Sequence, residues 1–282
     1  MEKVINKVKA SIEKMPTLSP VVHKIIDVAN NRSSSAQNLT DVIQLDPVLT
    51  AKVIKMVNSA YFGLPQQIKS LKQAVVMLGI NTVKNVALSS SFLGNVKLDK
   101  SAVLKGEDFW LHSLGVAVAS KMIAVKLGVE KEGIEEYFIA GLIHDIGKVL
   151  INNFFKKEMA EIVEMSAQKK YSIIQVEKHI LKLTHEEIGI AIGKKWNFEN
   201  ALLYAAGKHH QPALQGSAAI YSMVVCIADT YVKMMNIGFS GNYKIEPVSE
   251  DVWKTIGLDE PAVYDALSTI NQEVDKAKLF LK

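Results

Sequence analysis

Cysteine is almost absent from this chain of 282 residues, which has one, Cys226. An internal disulfide framework is therefore excluded, and the composition fits a reducing compartment. Set in "SMVVCIADTYV" among apolar neighbours, that thiol reads as buried and inert rather than as a nucleophile. Long hydrophobic runs are missing too. Nothing approaches the ~18 apolar residues of a membrane helix, and "SLGVAVASKMIAV" is short and interrupted by Lys121. The opening "MEKVINKVKASIEK" alternates charged and apolar residues at helical spacing and lacks the apolar stretch of a secretory signal. These absences lead to the expectation of a soluble, cytoplasmic protein with no membrane partner. Charge of one sign is lacking as well: 33 basic residues stand against 29 acidic ones, a dispersed net charge of +4, so direct nucleic-acid binding is not predicted. Low-complexity tracts, internal repeats and a convincing Ser-His-Asp pattern are also absent, and global disorder is unexpected.

What is present is hydrophobic residue at helical spacing. Apolar residues make up 49% of the chain, enough for a substantial core. "VVHKIIDVAN" repeats them at three and four, and sustained alternation is scarce, so the expected fold is all-α with short connections. "AQNLTDVIQLDPVLTAKVIKMVNSA" carries two helix signals broken at Asp46-Pro47. "QAVVMLGINTVKNVALSSSFL" breaks at Gly79. The charged segment Asn95–Asp108 divides an N-terminal helical part, 1–95, from a C-terminal part, 96–282, the two expected to pack as one compact unit. Phe239–Asp251 reads as a loop from its Gly, Asn and Pro, and a terminal helix is expected from Pro261.

All histidines but His23 fall in the second part. His112, His144, His185, His209 and His210 sit beside helical apolar patterns, and "GLIHDIGK" places His144, Asp145 and Lys148 in an apolar run. Asp229 lies in "VVCIADTYVKMM", where a carboxylate is costly to bury unless paired or bound to a cation. Imidazole nitrogen and carboxylate oxygen together suit divalent iron, manganese, zinc or nickel. Adjacent helical residues diverge by about 100°, so His144 and Asp145 can both serve only near a helix end or with two metals. The same limit applies to His209-His210, which precedes Pro212 and reads as a helix end. Asp108 and His112, four apart, share a helical face. Asp108 reads either as a ligand or orienting partner of His112 or as an N-cap. His185 reads as a ligand or as a helix start capped by Thr184 with Glu187 three positions on. Lys148 reads as a phosphate-neutralising cation or as a solvated charge at a helix C-terminus. His23 and His179 read as structural. Asn58, Ser59 and Tyr61 read as a functional surface or as a helix end before Gly63.

The order Asp108, His112, His144-Asp145, Lys148, His185, His209-His210, Asp229 resembles the HD superfamily of metal-dependent phosphohydrolases. "MPTLSPVVHKIIDVANN", "DVIQLDPVLTAKVIKMVNSAYFG" and "IKSLKQAVVMLGINTVKNVAL" resemble the HDOD domain, the HD-related output domain of bacterial signalling proteins. That likeness extends over about the first two hundred and thirty residues. The resemblance implies a multi-helix bundle with an N-terminal helical subdomain and an HD-like metal-binding subdomain. Its ligand set is similar to that of the HD-GYP phosphodiesterases, but "KHHQP" is followed by "QGSAAIYS" and not by the glycine-rich segment ending Gly-Tyr-Pro, which sets cyclic di-GMP aside as the implied substrate.

The resemblance also implies roles. His112, His144, Asp145 and Asp229 would form the core site, with Asp145 bridging to a second metal held by His185, His209 and His210. Two metals ~3.5–4 Å apart would activate water and clamp phosphoryl oxygens, with Lys148 at a phosphate oxygen. The implied functions are hydrolysis of a phosphoester such as a nucleotide or cyclic nucleotide, a non-catalytic module contacting signalling proteins with a structural or regulatory metal, or the chemistry of the HD-type di-iron oxygenases.

Overall fold

The structure, a computed structural model, describes residues 2–15, 18–30, 34–95, 98–99, 103–168 and 171–281. Positions 96–97 and 100–102 of the expected dividing segment lie outside the described residues. The fold is all-α. Its first part comprises α1 (Glu2–Lys14), α2 (Pro20–Asn30), α3 (Ala36–Gln44), α4 (Pro47–Val57), α5 (Leu71–Leu78) and α6 (Ile80–Asn95). The second comprises α7 (Gly106–Lys126), α8 (Lys131–Ile143), α9 (Ile146–Phe154), α10 (Lys156–Ala167), α11 (Ile173–Ile180), α12 (His185–Lys195), α13 (Asn200–Lys208) and α14 (Ala219–Met234). Three short helices follow, α15 (Glu250–Ile256), α16 (Glu260–Ala266) and α17 (Ile270–Ala277), then a 3₁₀ turn, Lys278–Leu281.

The local chemistry explains the breaks. Asp46 Oδ1 accepts from the backbone N–H groups of Val48 and Leu49, both at 3.0 Å, and Pro47 occupies the first turn, so α4 starts there. Asn58 ends α4. Its amide donates to the carbonyls of Ile54 and Ile68 at 2.8 Å, and its Oδ1 accepts from Ile68 N–H at 2.7 Å. Asn58 thus clamps the turn that leads to α5, which is the conformational reading of "VNSAYFG". Gln175 and Ser172 close a capping box on α11, and Glu187 and Thr184 close another on α12.

The centre of the molecule is the pair α7 and α8. Residues on every side of α7, from Phe109 to Ala124, are buried, as expected of a helix wrapped by others. It packs on α8, α14 and α17, while α12 packs on α9 and α13. α6 reaches both α4 and α8, and α1 folds back against α9 and α12, where Lys195 Nζ donates to the Ile12 and Glu13 carbonyls. At Gly147 a Cβ would lie 1.9 Å from the His185 carbonyl, so only glycine lets the start of α9 abut the start of α12. That contact brings Asp145 to His185.

Candidate metal centre

Six helices deliver side chains to one buried centre. His112 projects from α7, and His144 is the C-cap of α8. Asp145 forms the junction before α9, His185 opens α12, His209 caps α13, and Asp229 lies on α14. Helix ends dominate the set, which is how the adjacent pairs His144-Asp145 and His209-His210 both face inward despite the turn of the helix.

Two groups result. Asp145, His185, His209 and His210 offer ligand atoms all within 4.8 Å of one another, as do His112, His144 and Asp229. Asp145 lies between them. Its Oδ1 is 3.3 Å from His185 Nε2 and 3.5 Å from His209 Nε2, while its Oδ2 is 3.3 Å from His144 Nε2 and 4.0 Å from His112 Nε2. Asp229 Oδ1 is 3.1 Å from His112 Nε2 and 3.8 Å from His144 Nε2. The shared carboxylate has one oxygen for each group.

The imidazoles are oriented from behind. His144 Nδ1 donates to the Gly141 carbonyl at 2.7 Å, and His209 Nδ1 to the Ala205 carbonyl at 2.9 Å. His185 Nδ1 donates to the buried Glu177 carboxylate at 2.8 Å, and its backbone N–H donates there too. Each bond commits Nδ1 as the protonated nitrogen and turns the Nε2 lone pair into the cavity. His185 Nε2 and His209 Nε2 then face each other at 3.2 Å, which needs a proton or a cation between them. His112 Nε2, His144 Nε2, His210 Nε2, Asp145 Oδ1 and Asp229 Oδ1 are buried without a hydrogen-bond partner. Such orphaned acceptors are rare in proteins, and this concentration of nitrogen and oxygen donors fits divalent cations.

Charge is managed by two lysines. Lys148 is fully buried, donating to Asp145 Oδ2 at 2.8 Å and to Ser240 Oγ at 3.4 Å. Lys233, one turn after Asp229, pairs with Asp229 Oδ2. Burial would raise both aspartates, but His144 and Lys148 pull Asp145 well below the usual carboxylate range, and Lys233 and His112 do the same for Asp229. Burial pushes His144 down to about 4 against the pull of Asp145. Burial also holds His210 well below the ordinary imidazole value, aided by His209. Burial opposes protonation of His209, yet the nearby carboxylates of Asp145 and Glu186 carry it upward.

Several expectations change. Asp108 is exposed in the first turn of α7, where the N-cap position belongs to Lys105, and it joins neither group. Gly238 lies against the α7 backbone between Asp108 and His112, leaving the Asp108 carboxylate outside in solvent. It is neither cap nor ligand-side partner. Lys148 is not a solvated helix end, because it is buried in the first turn of α9. His185 is both things at once, the first residue of a capped helix and a member of a group. Cys226 is half-buried, not fully buried, and burial with the Asp229 charge pushes its thiol up to about 12, so it is inert. His179 is exposed, and His23 Nδ1 donates to the Ser19 carbonyl and belongs to neither group. Sequence reasoning missed Glu177, Glu186 and Lys233. Glu177 had a signal: in "IIQVEKHI" it falls on the apolar stripe with Ile173 and Val176.

The fold and the two groups define an all-α bundle with a histidine–aspartate centre able to hold metal. The sequence profile of the HDOD domain matches residues 15–212, and the chain belongs to the HDOD family. An HDOD domain protein of unknown function from Geobacter sulfurreducens superposes with a TM-score of 0.82 at 26% identity, covering 100% of this chain and 99% of that one. A candidate phosphohydrolase from Shewanella amazonensis SB2B has the same fold, with a TM-score of 0.74 at 22% identity over 97% of this chain and 98% of its own. Among curated sequences, an uncharacterized protein of Treponema pallidum is 22% identical over 72% of this chain, and ribonuclease Y of Mycoplasma mycoides is 26% identical over 59%. The chain spans 40% of the first and 33% of the second. No helix among the described residues is long and apolar enough to cross a membrane.

Proposed function

We propose that this protein is a metal-dependent phosphoester hydrolase with a two-metal centre. The observation that carries the reading is Asp145, a buried carboxylate with one oxygen turned to each of two donor groups. His185, His209 and His210 would hold one ion and His112, His144 and Asp229 the other. When bound, such a pair supplies an acidified water and Lewis-acid contacts to phosphoryl oxygens. The chain's own residues do the rest. Glu177, Ala205 and Gly141 fix the imidazole tautomers. Lys148 orients Asp145 and offsets its buried charge. The HDOD membership and the fold shared with a candidate phosphohydrolase support this reading.

The test is elemental analysis of the purified protein alongside turnover of a phosphoester panel after reconstitution with manganese, iron, zinc or nickel. The expected result is about two ions per chain and hydrolysis abolished in Asp145→Ala. Turnover equal in both samples removes the reading. A second reading, an interaction module with structural metals, has Leu45 and Val48 in its favour, which stand 60% and 67% exposed on either side of Asp46. It gains if metal is bound and no phosphoester turns over.

A further inference from the structure

The segment after α14 lies across the mouth of the centre as a strap, and it is fastened at both ends. At its start, Phe239 N–H donates to the Asp108 carbonyl at 3.0 Å. Gly238, at φ 65°, comes so close to α7 that a Cβ would lie 2.2 Å from His112 N. Ser240 Oγ then accepts from Lys148. Beyond it, Tyr243 N–H donates to Ser166 Oγ of α10 at 3.2 Å, and the Phe239 and Tyr243 rings meet at 4.9 Å. The strap therefore runs from α7 to α10 over the Lys148–Asp145 pair.

Beside the strap is a recess of about 30 Å³, lined by His209, His210, Asp229, Lys233, Asn242 and Lys244. That is far below the volume of a drug-sized ligand pocket and leaves room for a group of only a few heavy atoms, since a single water needs about 10–15 Å³ by the same measure. Lys233 and Lys244 are half-buried in it. Lys233 is already paired with Asp229 Oδ2, and the exposed Glu246 lies beside Lys244 on the strap. Asn242 Oδ1 is buried without a partner, an acceptor that asks for a hydroxyl donor.

We propose that the strap makes this centre a site for compact phosphoesters that present a terminal phosphate, and that Lys233 and Lys244 set this specificity by meeting the outer phosphate oxygens. The inference rests on the hydrolase reading of the same site. A terminal phosphate is small enough for the recess and brings negative charge to Lys244, with Lys233 shared between it and Asp229. An internal phosphodiester needs room for chain on both sides of the phosphorus, and the strap fills one of them.

The test uses this chain loaded with manganese and titrates two probes, inorganic phosphate by calorimetry and a fluorescein-labelled hexanucleotide by anisotropy. Phosphate is expected to bind and the hexanucleotide to show no saturable binding. Lys244→Ala should weaken phosphate about tenfold while manganese content stays at the wild-type level, and Lys244→Arg should restore most of the affinity. Hexanucleotide binding as tight as phosphate, or phosphate affinity unchanged in both Lys244→Ala and Lys233→Ala, overturns the inference while leaving the hydrolase reading standing. Loss of manganese from the wild-type protein removes that reading, and the inference with it.

Discussion

A buried imidazole is a useful ligand only if its protons are settled elsewhere, and Glu177 settles them for His185. It is fully buried and takes hydrogen bonds from both the ring and the backbone of that residue. Glu177→Gln keeps the shape but can point a donor at the ring. Metal affinity at the group of His185 should fall between about 10- and 100-fold, read by competition against a chromophoric chelator, with the helical circular dichroism unchanged. Unaltered affinity would reduce Glu177 to a packing residue. His144 gives a pH test in metal-free protein. Its folded-state value is about 4 against an ordinary 6.5, so the unfolded chain takes a proton that the folded chain refuses. This contribution is present above pH 6.5 and drains as pH falls toward 4, to a limit of about 3 kcal/mol. Urea midpoints at pH 7 and pH 5 should diverge more in the wild type than in His144→Asn; equal divergence would mean that His144 does not carry the effect.

Elements were legible where local chemistry decides them. Asp46-Pro47 announces the start of α4, and Thr184 with Glu187 the start of α12. The inward set of histidines was legible by type, because polar groups repeatedly interrupted apolar helical runs. What the sequence concealed were contacts set by tertiary approach. Asp108 shares a face with His112 on paper, yet α7 passes under the strap between them. Glu177 sits eight residues from His185 in another helix, and its role exists only once α11 and α12 pack. Gly147 was equally mute, since nothing local demands glycine there. Gly147→Ala would drive a methyl into the His185 carbonyl. It should cost about 1–3 kcal/mol and weaken metal binding, because the strain falls on the joint between Asp145 and His185. Asn58→Ala is the contrast. It removes three hydrogen bonds that hold the turn before α5 and should cost about 2–3 kcal/mol at unchanged metal content. If Asn58→Ala strips the metal instead, the N-terminal helices are part of the site.

At the scale of the molecule, the centre ties together helices that are distant in sequence. His112 is on α7, His144 and Asp145 span α8 and α9, His185 opens α12, His209 and His210 end α13, and Asp229 is on α14. These are also the helices that pack on one another around the α7–α8 pair, so an ion bound there favours the whole assembled bundle over any partly opened form. Each ion present at a hundred times its dissociation constant should add about 2.7 kcal/mol to unfolding. In a chain of 282 residues each such increment raises the melting temperature by roughly 4–6 °C. Calorimetry of manganese-loaded and EDTA-treated protein should therefore show one transition moving as a unit. Asp145→Ala should lose most of the shift from both ions, because it faces both groups. A variant at Asp229 should lose only part of it, because the group of His185, His209 and His210 does not include that residue. If the two variants lose the same amount, the carboxylate of Asp145 is not shared, and the two donor groups act as separate sites.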